Sequence, residues 1–543
     1  MKRRHRIALT FCLMLTAVAC KRLDLIPENN FTDLNYWTTE EKVKSILNTA
    51  YSQMGNSERF FSNEGMSDNA FSGRGDFGGS TSLAAGTYDP ALGRILDEWR
   101  YHYQGIKTCN LILQNIDQVP MNEDVKARMK AETRFIRALK HFQLTTWFGA
   151  VPLLDQDPSL EEALHISRTP KGQVVEYILN ELDAAAQHLP INTAYGAADR
   201  GRITKGAALA LKARVYLYEG RWQDVVNTCE SLMNGANGNY ALFPSYEGLF
   251  LPENENNNEV ILDMQYVPEF RTWSNFFDFA PLSVGARLNN LAPTQELVDS
   301  YIMLNGKRID EEGSGYDEDN AYENRDPRMA STVVYDQYQW RRPDGSVQTI
   351  YIKPGTAPSS GNASADEYAP GTASSPTGYY WRKYYDPSHG NNFLSGLNLI
   401  LIRYADILLM YAEAKNELVK LGQEDWDLTV RAIRTRAGFT QAEALNYRAD
   451  LSQEGLRDLI RNERRSEFAF EGTRIFDIRR WRIAEQVLNG WAHGAKFGPA
   501  NEDNGYIRAN LRTFDSNKHY LWPIPRDERN LNSNLEQNPG WEN

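Results

Sequence analysis

Apolar residues recur at helical spacing over long stretches of this 543-residue sequence. Between residues 38 and 54, Val43, Leu47 and Ala50 fall on one face of a helix that begins behind a threonine cap. The same spacing predicts helices over 92–116, 124–147, 170–189 and 402–421, and with breaks to about 488. Stripes of this kind predict a mainly α protein.

Two predicted helices in the stretch 201–234 meet at Gly220. Small residues of the first helix face bulky ones across the pair: Ala207, Ala210 and Ala213 against Leu217, Trp222 and Val225. This alternation is typical of the hairpins in tetratricopeptide repeats. The repeat period is too degenerate to establish such repeats from spacing alone, so the spacing predicts a helical scaffold over about 38–235 and 400–490.

The composition changes between about 236 and 400, where Asn, Gly, Ser and Pro dominate. Short strand-like pieces such as VILDMQY and SVQTIYIK interrupt these loops. Irregular segments of this length in a compact protein are either functional or disordered. We expect a loop-rich insertion with short strands inside one unit that covers 20–543.

The first 19 residues predict an export signal. Its basic residues are Lys2, Arg3, Arg4 and Arg6. The apolar run from Ile7 to Val18 is too short to span a bilayer. Cys20 follows small residues in a pattern that resembles the lipobox of bacterial lipoproteins, where the cysteine is acylated; ordinary signal cleavage is the alternative. Acyl chains on Cys20 would bind a membrane by burying methylene groups.

The net charge limits the expected binding partners, and the positions of the cysteines indicate their role. The net charge is −12, and removal of the four cationic residues of the signal brings it to −16. A chain this acidic repels phosphate backbones, so nucleic acid is not an expected partner. Cys109 and Cys229 lie inside predicted helices, and we expect two core thiols.

The densest charge lies in RRSEFAFEGTRIFDIRRW, residues 464–481. In the helix predicted before Gly472, the apolar spacing continues into Glu463, Arg464 and Glu467, so charges enter the face that should be buried. Opposite charges one to four residues apart can neutralise one another, whereas isolated buried ions are costly. The alternating signs predict a structural role, with the helix ending at Gly472.

The same segment resembles the C-terminal helical signature of the SusD/RagB family of outer-membrane nutrient-binding lipoproteins. Other family-like stretches occur in the family's order over almost the whole chain after the signal. They are CKRLDLIPENNFTDLNYWTTEE near the N terminus, RFIRALKHFQLTTWFGAVPLL at 134–154, GRITKGAALALKARVYLYEGRW at 201–222, LILIRYADILLMYAEAKNEL at 399–418 and YLWPIPRDERNLNSNLEQNPGW at 520–541.

The resemblance implies a scaffold of four tetratricopeptide-like hairpins with an irregular part packed against it. It also implies a lipid anchor in the outer membrane, on its outer face, where the protein covers a SusC-like TonB-dependent transporter. Such proteins capture glycans and catalyse no reaction. Their glycan site is built from the loop after the first helix and from the irregular insertion.

Glycan capture needs flat apolar faces for sugar C–H groups and polar side chains for the hydroxyls. Two regions outside the predicted helices combine these residue types: 67–80, and 269–279 together with 335–342. The candidate ligand-binding residues are Asp68, Asn69, Phe71, Arg74, Phe77, Arg271, Trp273, Phe276, Tyr338 and Trp340. Taken singly, each aromatic residue is more often core than binding surface.

Two patterns match functional motifs without their context. Gly73, Gly75 and Gly78 fit G-x-G-x-x-G, but no strand precedes them and no helix opens on the last glycine, so we expect a flexible loop. The acidic run 310–319 could hold calcium, but its spacing departs from the EF-hand and a solvated loop is favoured. We expect no other cofactor.

Two other function classes stay open. The sequence carries no zinc-protease, nucleophile-elbow or phosphate-loop motif, yet the acid pair of a glycoside hydrolase is defined by its separation in space. A glycosidase is therefore one alternative. A helical-repeat scaffold that binds protein and no sugar is another, and burial of the loops 67–80 and 335–342 against helices would favour it.

Overall fold

The computed structural model describes residues 36–359 and 363–542; the predicted export signal and Cys20 lie outside them. The α-helices are α1 Glu40–Ser52, α2 Ser57–Gly65, α3 Ser80–Ala84, α4 Gly93–Asn115, α5 Glu123–Phe148, α6 Leu160–Ala163, α7 Lys171–His188, α8 Lys205–Tyr218, α9 Trp222–Met233, α10 Gln295–Ser300, α11 Pro327–Thr332, α12 Tyr404–Glu417, α13 Gln423–Trp426, α14 Ala432–Ala437, α15 Ala442–Leu445, α16 Gln453–Phe468, α17 Arg474–Arg480, α18 Ala484–Val487 and α19 Arg526–Leu531. The strands are β1 Ala70–Phe71, β2 Val260–Met264, β3 Ala292–Pro293, β4 Val333–Val334, β5 Tyr338–Arg341, β6 Val347–Ile350, β7 Tyr380–Trp381, β8 Leu399–Arg403, β9 Gly490–His493 and β10 Arg508–Arg512. The predicted mainly α fold with short strands is confirmed.

The long helices form a tetratricopeptide-like stack in which each packs on the next: α4 on α5, α5 on α7, α7 on α8, α8 on α9, α9 on α12 and α12 on α16. The turn predicted at Gly220 is confirmed, because α8 ends at Tyr218, α9 begins at Trp222 and Gly220 has a φ of 66°. Cys109 and Cys229 are free, buried thiols in this core, as predicted.

The insertion forms a second core together with α2 and the segment that follows α16. Its short strands pair as isolated antiparallel couples, and β2–β8 joins it to the start of α12. Buried rings fill the space between these couples, as where Trp381 stacks on Phe470 with centroids 4.0 Å apart. Because this region has little helix and sheet, packing between aromatic rings stabilises it instead.

The helix α16 ends at Phe468, four residues earlier than the predicted end at Gly472. Its last carbonyls are bonded by buried cations: Lys383 Nζ donates to the carbonyl of Ala469 at 2.9 Å, and Arg403 Nη2 donates to that of Glu467 at 2.9 Å. These donors satisfy the free carbonyl groups at the C-terminal end of the helix. The helix can therefore end at Phe468 without a glycine cap.

The charges on α16 are buried, as predicted, but their partners come from distant segments rather than from the same helix. Arg403 contacts Glu259 at 2.8 Å, Glu467 at 2.6 Å and Glu471 at 2.7 Å. We call the connected set the buried ion-pair network: Lys383, Arg328, Arg403, Arg434 and Arg436 with Glu259, Asp326, Glu463, Glu467 and Glu471. Five cations face five carboxylates, so the network is neutral as a whole.

Among the described residues, none of the helices combines the length and the apolar composition needed to cross a bilayer.

Candidate functional site

A strand pairing between the first loop and the insertion creates a surface cleft. Strand β1 pairs antiparallel with β3, with Phe71 opposite Ala292. Thr294 donates its backbone N–H to the carbonyl of Asn69 at 3.0 Å and extends this pairing. The loop that follows β1 is therefore held beside the segment around Asn289.

The loop 368–376 forms the opposite wall of this cleft. The backbone N–H of Asn289 donates to the carbonyl of Ala373 at 2.8 Å. A Cβ added to Gly73 would lie 2.4 Å from Cγ of Pro376, so only glycine lets the two loops approach this closely.

The hairpin β9–β10 closes the third side. Arg512 anchors it, with Nη1 donating to the carbonyl of Ser67 at 2.6 Å and Nη2 to that of Ala70 at 2.7 Å. This places Arg508 in the cleft, with its guanidinium 5.5 Å from the ring centroid of Trp491, whose surface is 40% exposed.

The cavity has a volume of about 270 Å³, close to the lower limit for small-ligand sites. We call it the Tyr368 cleft. Its lining residues are Phe71, Gly73, Arg74, Asn289, Tyr368, Ala369, Pro370, Gly371, Thr372, Ser374, Pro376, Arg508 and Ala509.

Tyr368 is the cleft residue that offers a ligand both an aromatic face and an unused hydrogen-bonding group. The half-buried ring of Tyr368 offers an apolar face. Its hydroxyl makes no hydrogen bond to the described residues. Burial raises the pKa of Tyr368, so this hydroxyl stays a neutral donor and acceptor. Asn289 lies behind this surface: it is buried, and its Oδ1 has no partner within the described part of the chain. The ring of Tyr368 can therefore stack on a sugar, and its hydroxyl can bond the sugar hydroxyls.

Two of the predicted ligand-binding residues line this cleft. Phe71 lies in its wall and is 9% exposed, and Arg74 lies exposed at its edge. Arg74 Nη1 donates to the carbonyl of Thr372 at 3.1 Å, which ties the loop of β1 to the opposite wall.

Asp68 and Asn69, which precede them, point into the interior. Asp68 is paired with Arg474 at 2.8 Å and with Arg465 at 3.0 Å. Burial alone would raise the pKa of Asp68, but the two guanidinium groups hold it well below its usual range. Asn69 donates to Glu64 at 3.1 Å and accepts from Arg465 at 2.9 Å. The prediction that they face a ligand is corrected, because they join the first loop to α16 and α17.

Three predicted platform rings are core residues. Trp273 is 4%, Phe276 2% and Trp340 0% exposed. Trp273 donates its indole N–H to the carbonyl of Leu397 at 2.7 Å, and Trp340 packs edge-on against Tyr385 with centroids 4.6 Å apart. Their expected exposure is corrected, because these large rings pack into the second core.

The remaining three candidates lie between core and surface. Phe77 packs edge-on against Phe279 at 5.5 Å, outside the lining of the cleft. Arg271 donates to the carbonyl of Gln265 at 2.8 Å. Half-buried Tyr338 donates its hydroxyl to the carbonyl of Ala330 at 2.9 Å. These contacts are all internal to the protein.

Sequence reasoning missed Asn289, Tyr368, Arg508 and Trp491. A usable signal existed for one of them, because Tyr368 directly precedes the turn sequence Ala-Pro-Gly-Thr, which brings the residue before it to the surface. Strand pairing over long sequence distances brings Asn289 and Arg508 to the cleft and Trp491 beside Arg508, and no local pattern encodes such pairing.

A second polar recess, of about 580 Å³, lies between α2 and α4. Its arginines are already paired: Arg59 and Arg94 contact Glu98 at 2.9 Å and 3.2 Å, and Arg100 contacts Glu528 at 2.8 Å. The lining of this recess also includes three carboxylates, Glu58, Asp76 and Asp97, whereas the lining of the Tyr368 cleft has none.

The acidic run 310–319 does not converge on a point. Asp310 pairs with Arg308, and Asp317 accepts from the backbone N–H of Asp319 at 3.0 Å. Within the described ranges, no group of three or more His, Cys, Asp or Glu residues is arranged to hold a metal ion.

Comparison with known proteins identifies the family. Residues 259–541 match the SusD family, and residues 22–217 match a family described as starch-binding and associating with the outer membrane. SusD-like protein P2 of Formosa agariphila is 26% identical over 552 residues, which cover 97% of this chain and 98% of the relative.

Solved structures share the fold over nearly the whole chain. A SusD-like carbohydrate-binding protein from Bacteroides fragilis superposes with a TM-score of 0.83 and 27% identity, covering 92% of this chain and 99% of its own. A laminarin-binding SusD-like protein superposes with a TM-score of 0.65 and 23% identity, covering 93% and 100%. Since the SusD match alone spans more than half of the sequence, this chain belongs to the SusD/RagB family.

Proposed function

We propose that the protein is a cell-surface lipoprotein that captures a glycan in the Tyr368 cleft and delivers it to a SusC-like TonB-dependent transporter. The observation that carries this proposal is the cleft itself, an open site in which Tyr368 offers an aromatic face and a hydroxyl without a hydrogen bond to the described residues. The family supports it, since the relative from Bacteroides fragilis is described as carbohydrate-binding.

The chemistry of the cleft supports capture without cleavage. A glycoside hydrolase needs two carboxyl groups on opposite sides of the scissile bond, roughly 5 to 9.5 Å apart. The lining of the Tyr368 cleft contains neither Asp nor Glu. A sugar bound there would meet hydroxyl, amide and guanidinium groups and no acid pair.

The shallow shape of the site predicts how affinity depends on ligand length. Each contact between a sugar and an aromatic ring or amide is small, and binding has a fixed entropic cost. Trp491 extends the surface beyond Arg508, so a longer chain can add contacts there. We expect weak binding of monosaccharides and measurable binding of oligosaccharides.

Affinity electrophoresis of the full chain in gels that contain different polysaccharides tests the proposal. We expect retention by at least one glycan and loss of that retention in Tyr368→Ala. Phe270→Ala is the matched control, because Phe270 is 88% exposed and lies outside the cleft. Equal effects of the two substitutions would place the site elsewhere. Release of reducing ends from the retained polysaccharide would favour the glycosidase alternative.

The anchor and the partner rest on the sequence and the family. In cells that express the protein, we expect labelled palmitate to enter the wild-type chain and not Cys20→Ser. We also expect a TonB-dependent transporter to co-purify with the anchored protein. A water-soluble wild-type protein without label would contradict the anchor.

A further inference from the structure

Arg74 differs from the buried arginines in the partners available to it. Its Nη1 is fixed by the carbonyl of Thr372 at 3.1 Å. Within the described residues, no carboxylate oxygen lies within 4.0 Å of its guanidinium. The edge formed by Nε and Nη2, which is the edge that binds a carboxylate or sulfate with two parallel hydrogen bonds, therefore has no acidic partner among the residues that the structure describes.

The second cation of the cleft is already neutralised. Arg508 Nε contacts Asp503 at 2.7 Å, and its Nη1 contacts Glu502 at 3.1 Å. Neither of these carboxylates belongs to the cleft lining, which is free of acidic residues. One uncompensated positive charge, on Arg74, consequently faces the space where the ligand would sit.

This local charge is opposite to that of the chain as a whole. The net charge is −16 without the first 19 residues, and such a field repels anions in general. An anionic ligand would therefore be retained only where a specific group binds it.

We propose that the glycan captured in the Tyr368 cleft carries carboxylate or sulfate groups, one of which binds the Nε/Nη2 edge of Arg74. This inference rests on the proposed function, because it names the ligand class of the same cleft. The ring of Tyr368 stacks on the sugar, and Arg74 selects the acidic residue within it.

A set of glycans with one backbone and different substituents tests the ligand class. Dextran, carboxymethyl-dextran and dextran sulfate share a glucan backbone, while polygalacturonate and chondroitin supply natural uronic acids. Binding of the full chain is measured by calorimetry at two salt concentrations. We expect an acidic member to bind at least about tenfold tighter than the neutral dextran, and the preferred member tells carboxylate from sulfate.

Substitution of Arg74 assigns that preference to this residue. Arg74→Gln should remove the tenfold preference for the acidic glycan, and Arg74→Lys should restore part of it, since lysine keeps the charge without the fork geometry. Arg308→Gln is the control, because Arg308 is an exposed arginine that is paired with Asp310 and does not belong to the cleft lining.

The outcomes separate the two proposals. Equal affinity for acidic and neutral forms, or a preference that survives in Arg74→Gln, would overturn the inference and leave glycan capture intact. If no glycan of either class bound, or if Tyr368→Ala bound every glycan as wild type does, the proposed function itself would fail.

Discussion

The buried ion-pair network and the Tyr368 cleft both depend on arginine, but they use it in opposite ways. Arg403 is fully buried and contacts three carboxylates within 2.8 Å. Arg74 is exposed, and a single backbone carbonyl holds it. In the network, buried carboxylates neutralise the positive charge of arginine. In the cleft, the positive charge of Arg74 stays available to a ligand.

This difference separates structural from functional charge. Burial alone would raise the pKa of Glu467, yet Arg436, Arg403 and Arg328 hold it well below its usual range. Charge density therefore marks the structural region, and the absence of a partner marks the candidate site. Each prediction below tests one side of this contrast, from the largest expected effect to the smallest.

The largest effect is expected from Arg403→Met. Removal of this cation leaves Glu259, Glu467 and Glu471 buried with too little positive charge around them. Loss of one partner of a buried pair costs up to about 5 kcal/mol. Urea unfolding should register this loss, whereas Arg308→Met, at an exposed pair, should change the free energy of unfolding by less than about 1 kcal/mol. Similar values for both would contradict the structural role.

Trp340→Ala tests whether this ring belongs to the core. Trp340 is 0% exposed, so its truncation should leave a cavity and lower the free energy of unfolding by about 3 to 4 kcal/mol. Thermal unfolding measures the change. Glycan retention below the melting temperature should persist; unchanged stability with lost binding would make Trp340 a ligand platform after all.

Gly73→Val tests the width of the cleft. The new Cβ would meet Pro376 at 2.4 Å, so the loop must move away from the opposite wall. We expect glycan affinity to fall about tenfold, or ~1.4 kcal/mol, with little change in stability because the loop is exposed. Gly172→Val is the control, since a Cβ at Gly172 would meet no atom within 4 Å.

The smallest effect concerns His493, which joins the hairpin β9–β10 to α10. It contacts Glu296 at 2.8 Å and Asp503 at 3.1 Å, and the hydrogen bond that its ring donates to the Glu296 carboxylate is the main reason that its pKa is raised above 6.5. The folded state holds this proton more tightly than the unfolded state, so the stabilisation is complete below about pH 6.5 and is lost as the pH rises through the folded pKa.

Because His493 and its partners are partly exposed, the stabilisation should stay below about 1 kcal/mol. Urea midpoints of wild type and His493→Asn between pH 5.5 and 8.5 measure it. The wild type should lose stability over this interval, with a shallower slope in the variant. Arg508 also contacts Asp503 and keeps that carboxylate charged throughout. Identical slopes for the two proteins would show that His493 does not contribute to the pH dependence of stability.

The scaffold was predictable because its information is local. Apolar spacing, the alanines of α8 and the turn at Gly220 each act within a few residues. The end of α16 was not, since Lys383 and Arg403 bond its carbonyls from a distant segment. Trp273 and Trp340 were placed wrongly for a related reason. Burial in the insertion follows from pairings such as β5–β6 and β4–β7, which have no periodic pattern.

The anchorage of the hairpin β9–β10 has a consequence for how this protein can diverge. Arg512 donates hydrogen bonds to the backbone carbonyl oxygens of Ser67 and Ala70. Every amino acid has this carbonyl oxygen, so the contact does not depend on the side chains at these two positions. Neighbouring side chains can therefore be exchanged over generations without loosening the hairpin. Related proteins could therefore acquire new ligand specificities through substitutions at a few loop positions, while the scaffold stays unchanged.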